Sequence, residues 1–293
     1  MLETELEWLC YQLWSKTTAS APVFSFSIAD TIILREGLPQ TWYFSTKEGY
    51  ILKKNYQNVR LPKINKSFCK KNGINGSTAE LPAMNTYLYK PQRNTETGEE
   101  RLALRIGPVA GKDLMPYLRA SVANRVEGGR PHILQAFVPP RTLKNAVIRV
   151  CWTQSNMQIV KITNKLAIVD ERYSLLTRTV SCEDQDEGLY TEQKLMPNQG
   201  QVYERLLRSM LEIHNHIKKN SDVLVTGGNF YFKLNDSERP ILLLATQIKT
   251  ERPILVLNAS INVALVATET RIQPKPKKSG AAAVQLPSGE MSE

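Results

Sequence analysis

The spacing of apolar and polar positions changes several times along the chain, and each change marks an element. Leu2, Leu6, Leu9 and Leu13 share one face at helical spacing, with Trp8 and Trp14 enlarging the apolar surface. This predicts an amphipathic helix over residues 2–14 that docks on the body of the protein. The period then drops to two. Val23, Phe24, Phe26, Ile28 and Thr31 to Leu34 read as strand, Gly37-Leu38-Pro39 as a turn, and Thr41 to Phe44 as strand again. Thr46-Lys47-Glu48-Gly49 reads as a hairpin turn returning through Tyr50-Ile51-Leu52. Aromatic and β-branched side chains favour this state because they pack well on a pleated, half-buried surface.

Residues 54–84 show no period and are dense in Lys, Asn, Gly and Pro. They read as a long basic connection, laid along a partner rather than folded on its own core. A second hairpin is predicted from Thr86-Tyr87-Leu88-Tyr89 to Arg101 through Ile106, turning through Asn94 to Gly98. A short helix follows over 112–126, ended by Gly128-Gly129. From residue 131 the signals become regular. Strands are expected at Ile133 to Val138, Ala146 to Thr153, Met157 to Thr163 and Tyr173 to Cys182, with the acidic run Glu183, Asp184, Asp186, Glu187 as a loop. The clearest helix runs from Gln201 to Lys219, with Val202, Leu206, Met210, Ile213 and Ile217 as its apolar stripe. Strands return from Val223 through Phe232 and from Ile241 to Ile248, turning at Asn235 to Glu238, and a further strand region runs from Ile254 to Val266.

Strands precede and follow one long helix instead of alternating with helices. This predicts an α+β fold: an antiparallel sheet packed with one long amphipathic helix, plus an N-terminal β-hairpin region. The expected division is residues 1–110 (helix, hairpins, basic connection), 111–269 (an α+β domain) and 270–293 (a disordered basic and Ala/Ser tail). A chain of 293 residues buries enough apolar surface to fold without disulfides or a metal.

Charge adds a direction. Lys and Arg number 38 against 28 Asp and Glu, a net charge of +10. Such a surplus favours polyanionic or acidic partners. Part of it is local, in Lys53, Lys54, Arg60, Lys63, Lys66, Lys70 and Lys71, and again in Lys275, Lys277 and Lys278. These ten residues are the candidate electrostatic partner-binding surface. The N-terminus carries acids where a secretory signal carries bases, and no run of about 18 apolar residues occurs, which predicts a cytoplasmic protein.

Candidate chemistry is sparse. Cys10, Cys69, Cys151 and Cys182 stand far apart, without CxxC spacing, and read as reduced thiols. His214 and His216 diverge on the predicted helix and cannot share a metal; His132 opens a strand. Val223 to Asn229 has the strand-then-glycine outline of a dinucleotide-binding unit, but a strand follows the glycines where a helix is needed, so a bulge or tight turn is the better reading. No catalytic, cofactor or metal residues are assigned. An enzyme would require a site assembled from distant residues, such as a deep polar cleft containing His132.

The block Ile133 to Val138, Asn145 to Thr153, Tyr173 and Arg178-Thr179-Val180, followed by the helix and the Gly228 to Leu244 hairpin, resembles a poorly characterised domain of proteins from ciliated and flagellated eukaryotes. The resemblance covers about residues 130–250. It departs at Leu176-Thr177-Arg178, where the pattern has a Glu-Arg pair, and in lacking Trp in the last strand. It implies association with the axoneme and no known enzymatic activity. The functional expectation is a structural or interaction protein without catalytic activity or cofactor, binding an acidic surface such as tubulin in the microtubules of a cilium or flagellum. The alternative is a nucleic-acid-binding protein using the basic segment 53–71, where Tyr56 and Phe68 accompany the cations.

Overall fold

The computed structural model describes residues 4–16, 22–69, 82–93, 100–123, 132–179, 189–197, 200–221 and 223–251, all within one compact unit of the chain. The class is α+β. Helices α1 (Glu5–Trp14), α2 (Leu61–Cys69), α3 (Gly111–Ala123), α4 (Leu175–Thr179) and α5 (Gln201–Asn220) are distributed among twelve described strands in two six-stranded sheets.

The first sheet has the order β4-β3-β2-β7-β5-β6. Its strands are β2 (Thr31–Arg35), β3 (Leu38–Ser45), β4 (Ile51–Lys53), β5 (Pro82–Arg93), β6 (Glu100–Ala110) and β7 (His132–Ala136). The second has the order β1-β12-β11-β8-β9-β10. Its strands are β1 (Ser27–Ile28), β8 (Lys144–Thr153), β9 (Met157–Ala167), β10 (Tyr190–Leu195), β11 (Leu224–Leu234) and β12 (Pro240–Glu251). Pairing is antiparallel throughout except that β1 runs parallel to β12.

The apolar run Thr31-Ile32-Ile33-Leu34 is continuous because β2 is buried on both faces. Ile33 joins a core with Leu9 and Leu13 of α1, Leu206 and Met210 of α5, and Phe230 and Phe232 of β11. Ile32 and Leu34 face the other way, against Ile64 and Phe68 of α2 and Leu114 and Leu118 of α3. Alternate residues of one strand thus enter two cores. Gln135 of β7 ties the sheets together. Its side-chain amide, 1% exposed, donates to Thr31 Oγ1 at 3.0 Å and to the Leu243 carbonyl of β12 at 2.7 Å. Replacing Gln135 by Leu keeps the volume but leaves a buried carbonyl without this donor, so urea unfolding should show a loss of about 2 kcal/mol. An unchanged midpoint would show that the bridge contributes nothing.

The sequence-based elements hold in most places and fail in three. Residues 54–69 are not a partner-bound connection: a 3-10 turn (Tyr56–Asn58) leads into α2, and Ile64 and Phe68 are fully buried. Residues 175–179 are helix, not strand. The amide of Asn164 donates to the Thr177 carbonyl at 2.8 Å, the Asn145 amide donates to the Thr179 carbonyl, and Ser174 Oγ accepts from Thr177 N–H at 3.1 Å. Side-chain bonds to the backbone outweigh the β-propensity of this run. Finally, β10 is an edge strand with its middle four residues exposed, so no apolar alternation announced it. The division at residue 110 does not follow the sheets, since β7 completes the first and β1 belongs to the second. The expected strand 254–266, the acidic run 183–187 and the tail lie outside the described residues.

The glycine pair of β11 sits at two register shifts, and the strand continues past it, as expected of a bulge. Among the described residues, no helix is long and apolar enough to cross a membrane.

Candidate functional site

Strand register assembles one groove from residues far apart in sequence. Ile148 of β8, Lys161 of β9 and Gln193 of β10 lie directly opposite one another, so their side chains share one face of the sheet. Two adjoining cavities, of about 230 and 330 Å³, meet there and share Ile148, Lys161 and Leu234 as lining. The smaller is cationic, with Arg141, Lys144, Lys161 and Lys233 and no Asp or Glu in its lining. The larger is apolar, with Leu195, Val202 and Tyr203 beside Gln193. Val202 and Tyr203 belong to the first turn of α5, whose dipole directs its positive end toward this side.

Each cation is positioned differently. Lys161 is half-buried, flanked on its own face of β9 by buried Ile159 and half-buried Thr163. Lys233 is 5% exposed, donates to the Val138 carbonyl, and holds its ammonium 4.4 Å from the Phe137 ring centroid. Arg141 is exposed and pairs with Glu238 at 3.2 Å. Lys144 is exposed at the start of β8.

A separate cavity, of about 440 Å³, lies between the end of β6 and the helices α3 and α4. Thr86, Asp113 and Tyr117 supply its polar side chains, with no Lys or Arg in the lining. Behind it stands His132, 3% exposed, whose Nε2 is 2.8 Å from the Tyr117 hydroxyl. Burial lowers the His132 pKa from 6.5 to about 4, so the imidazole is neutral at neutral pH. Burial also raises the pKa of the Tyr117 phenol, which therefore keeps its proton.

Of the ten cations singled out from sequence, five are described. Lys53 Nζ lies 4.8 Å from the Trp14 ring centroid, and Lys54 Nζ lies 3.0 Å from that of Trp42. Lys63 donates to Asn58 Oδ1 at 2.6 Å, while Arg60 and Lys66 are exposed. Lys70, Lys71, Lys275, Lys277 and Lys278 lie outside the described residues. His214 and His216 bond the carbonyls of Val225 and Gln12 respectively, which are structural duties. Cys10 is buried and its thiol is pushed up to about 12. No group of three or more His, Cys, Asp or Glu suited to a metal ion occurs among the described residues. The sequence reading missed Arg141, Lys144, Lys161, Lys233 and Tyr203; the one available signal was a lysine on the inward-facing register of a strand.

No family model matches the chain, and no curated protein matches it. Solved structures do. The macrocyclase MdnC of Microcystis aeruginosa, bound with its precursor peptide MdnA, matches at 14% identity and a TM-score of 0.36, over 81% of this chain and 50% of that one. A RiPP-associated ATP-grasp ligase of Chryseobacterium gregarium, in complex with ADP and a leader and core peptide, matches at 10% and 0.36, over 75% and 47%. D-cycloserine synthetase DcsG matches at 10% and 0.40, over 84% and 65%. The chain thus spans between about half and two thirds of these proteins' lengths. All three are enzymes. This corrects the expectation of a structural protein without catalytic activity on microtubules, and with it the nucleic-acid alternative through residues 53–71; within that segment Val59, Ile64 and Phe68 are core residues. Likeness at these scores assigns no reaction, substrate or cofactor to the chain. None of these comparisons bears on the resemblance to the domain of ciliated and flagellated eukaryotes.

Proposed function

We propose that the groove on the β8-β9-β10 face binds a nucleotide or a closely similar phosphate-bearing aromatic ligand. The observation that carries this reading is the position of Lys161, at the junction of a cavity lined by cations and a cavity lined by apolar side chains and Tyr203. The phosphates occupy the cationic half, where Lys161, Lys144 and Arg141 neutralise them and the exposed Glu238 yields Arg141 to the ligand. The base lies against Leu195, Val202 and Tyr203, with the Gln193 amide able to bond a polar ring edge. Concave, mostly apolar sites with a few convergent polar groups are the usual form of small-molecule pockets, and the two cavities taken together as one groove fall in their size range. One of the matched proteins is described as holding ADP; at its TM-score that lends the reading no support, and the lining stands alone.

Fluorescence titration with mant-ATP tests it. Saturable binding is expected, competed by ADP and weakened by salt, because solvent-facing charge pairs are screened. A charged hydrogen bond lost in Lys161→Ala should lower affinity roughly 10- to 100-fold. Tyr203→Ala should lower it several-fold without changing the salt dependence. Absence of saturable binding, or equal affinity in a Lys144→Ala/Lys161→Ala double variant, rules the reading out.

A further inference from the structure

β10 ends the second sheet: β9 pairs with one of its edges, and among the described residues no strand pairs with the other. Such an edge presents a row of backbone N–H and C=O groups that can template a further strand. The opposite end of the same sheet, β1, is two residues long, whereas β10 has six. Thr191, Glu192, Gln193 and Lys194 are exposed, which leaves the strand accessible from outside. Charged edge strands are a common guard against aggregation, so exposure and charge by themselves would need no partner.

The order of the charges gives the second, independent observation. Two copies of a strand paired antiparallel about a two-fold axis set residue i opposite residue j, and j opposite i. Directly opposite side chains leave from the same face of a sheet, so the axis must pass through a residue. With the axis at Gln193, Glu192 faces Lys194 of the other copy, and the same pair repeats across the axis. Moving the axis by one residue sets Glu192 against Glu192, or Lys194 against Lys194. Opposite charges facing across a strand pair are favourable and like charges unfavourable, so the strand selects one register. Its neighbours agree. Met196, one residue beyond the strand, is 46% exposed, and in this register it meets Tyr190 of the second copy, a thioether against an aromatic ring. Arg149 of β8, 3.6 Å from Glu192, extends the row of charges on that face.

We propose that β10 is the seam of a symmetric dimer, in which the six-stranded second sheets of two copies of this chain join edge to edge. Gln193 of the second copy then stands beside Gln193 on the face that carries the groove, so each copy contributes to the rim of the other's site. A seam of six residues is small, which places the dimer in the micromolar range. The dimer does not depend on what fills the groove.

Sedimentation equilibrium on the full chain reads the assembly. The parent should pass from monomer to dimer across micromolar concentrations. Glu192→Lys and Lys194→Glu should each weaken the dimer roughly 10-fold or more, since each replaces two attractive pairs by two repulsive ones. The two changes shift net charge in opposite directions, so a shared loss cannot come from overall repulsion. Mixed in equal amounts, the two variants should dimerise at least as well as the parent, because an edge of lysines then meets an edge of glutamates. Lys218→Glu, an exposed change near the end of α5, should alter nothing. A parent that stays monomeric throughout that range, single variants that dimerise like the parent, or a mixture no better than its components overturns the proposal. If Glu192→Lys fails to fold for want of its Arg149 pair, as a melting curve would show, Lys194→Glu alone still decides.

Discussion

Replacing Arg239 by methionine should destabilise the fold by about 4 kcal/mol, enough to be read directly as a shifted denaturant midpoint. Its guanidinium donates four hydrogen bonds to main-chain carbonyls: Nε to Ser25 at 3.1 Å, Nη1 to Lys47 at 2.7 Å, and Nη2 to Phe24 at 2.8 Å and Phe26 at 3.1 Å. These carbonyls cannot be satisfied by a regular strand, because 24–26 is an irregular segment entering β1. The same segment is held from the other side by Glu212 of α5, which accepts from the Ser25 N–H at 2.7 Å and hydroxyl at 2.9 Å. Its two phenylalanines are core residues, 3% and 0% exposed. A hydrogen bond to a charged group is worth roughly 1 to 3 kcal/mol, and partial exposure of Arg239 sets the figure at the low end for each of the four. Lysine retains the charge but cannot fork to four carbonyls on two segments, so Arg239→Lys should recover less than half the loss. A methionine variant within about 1 kcal/mol of the parent would show that the segment is held by its aromatic rings alone.

The second large effect is a loss of stability in mild acid. His132 has a folded pKa of about 4 against 6.5 for the free side chain. Below 6.5 the unfolded chain takes up a proton that the folded chain refuses. The contribution of this group is thus complete above pH 6.5 and is lost as pH falls toward 4. At about 1.4 kcal/mol per pH unit over that window, the loss reaches about 3 kcal/mol. His216 adds in the same direction: burial beside α1 lowers its pKa, with bonds to the Gln12 and Ser15 backbone opposing. Denaturant unfolding from pH 7.5 to 4.5 should show the decline, and His132→Gln should flatten it even if that variant is weaker at neutral pH. A slope identical in the variant would assign the acid sensitivity elsewhere.

How much of this was legible beforehand depends on whether information was local. The helix over Gln201–Asn220 and the hairpin of β11 and β12 announce themselves through side chains that alternate at the right period and are buried on one face. The helix Leu61–Cys69 was readable in principle, since Leu61, Ile64 and Phe68 recur at three and four residues, but lysines between them drew the reading toward charge. Net charge speaks to solubility and encounter, not to which residues form a site. Lys53 and Lys54 illustrate this: both ammoniums spend themselves over indole rings of the same chain. The groove could not be read at all. Lys144, Lys161, Gln193 and Tyr203 come from three strands and a helix, and only the register of β8, β9 and β10 brings them side by side.

The parallel pair of Ser27 with Ile241 and Ile28 with Leu242 has a consequence for how the protein is made. During translation at about 5 to 20 residues per second, strand β1 leaves the ribosome roughly 10 to 40 s before its partner exists. For most of that delay Phe24 and Phe26 lack the part of their core that α5 and β11 supply, because those elements are still unsynthesised. The nascent chain therefore carries a sticky, half-built sheet for most of its elongation, which makes it a natural client for chaperones that shield apolar segments until the final hairpin arrives.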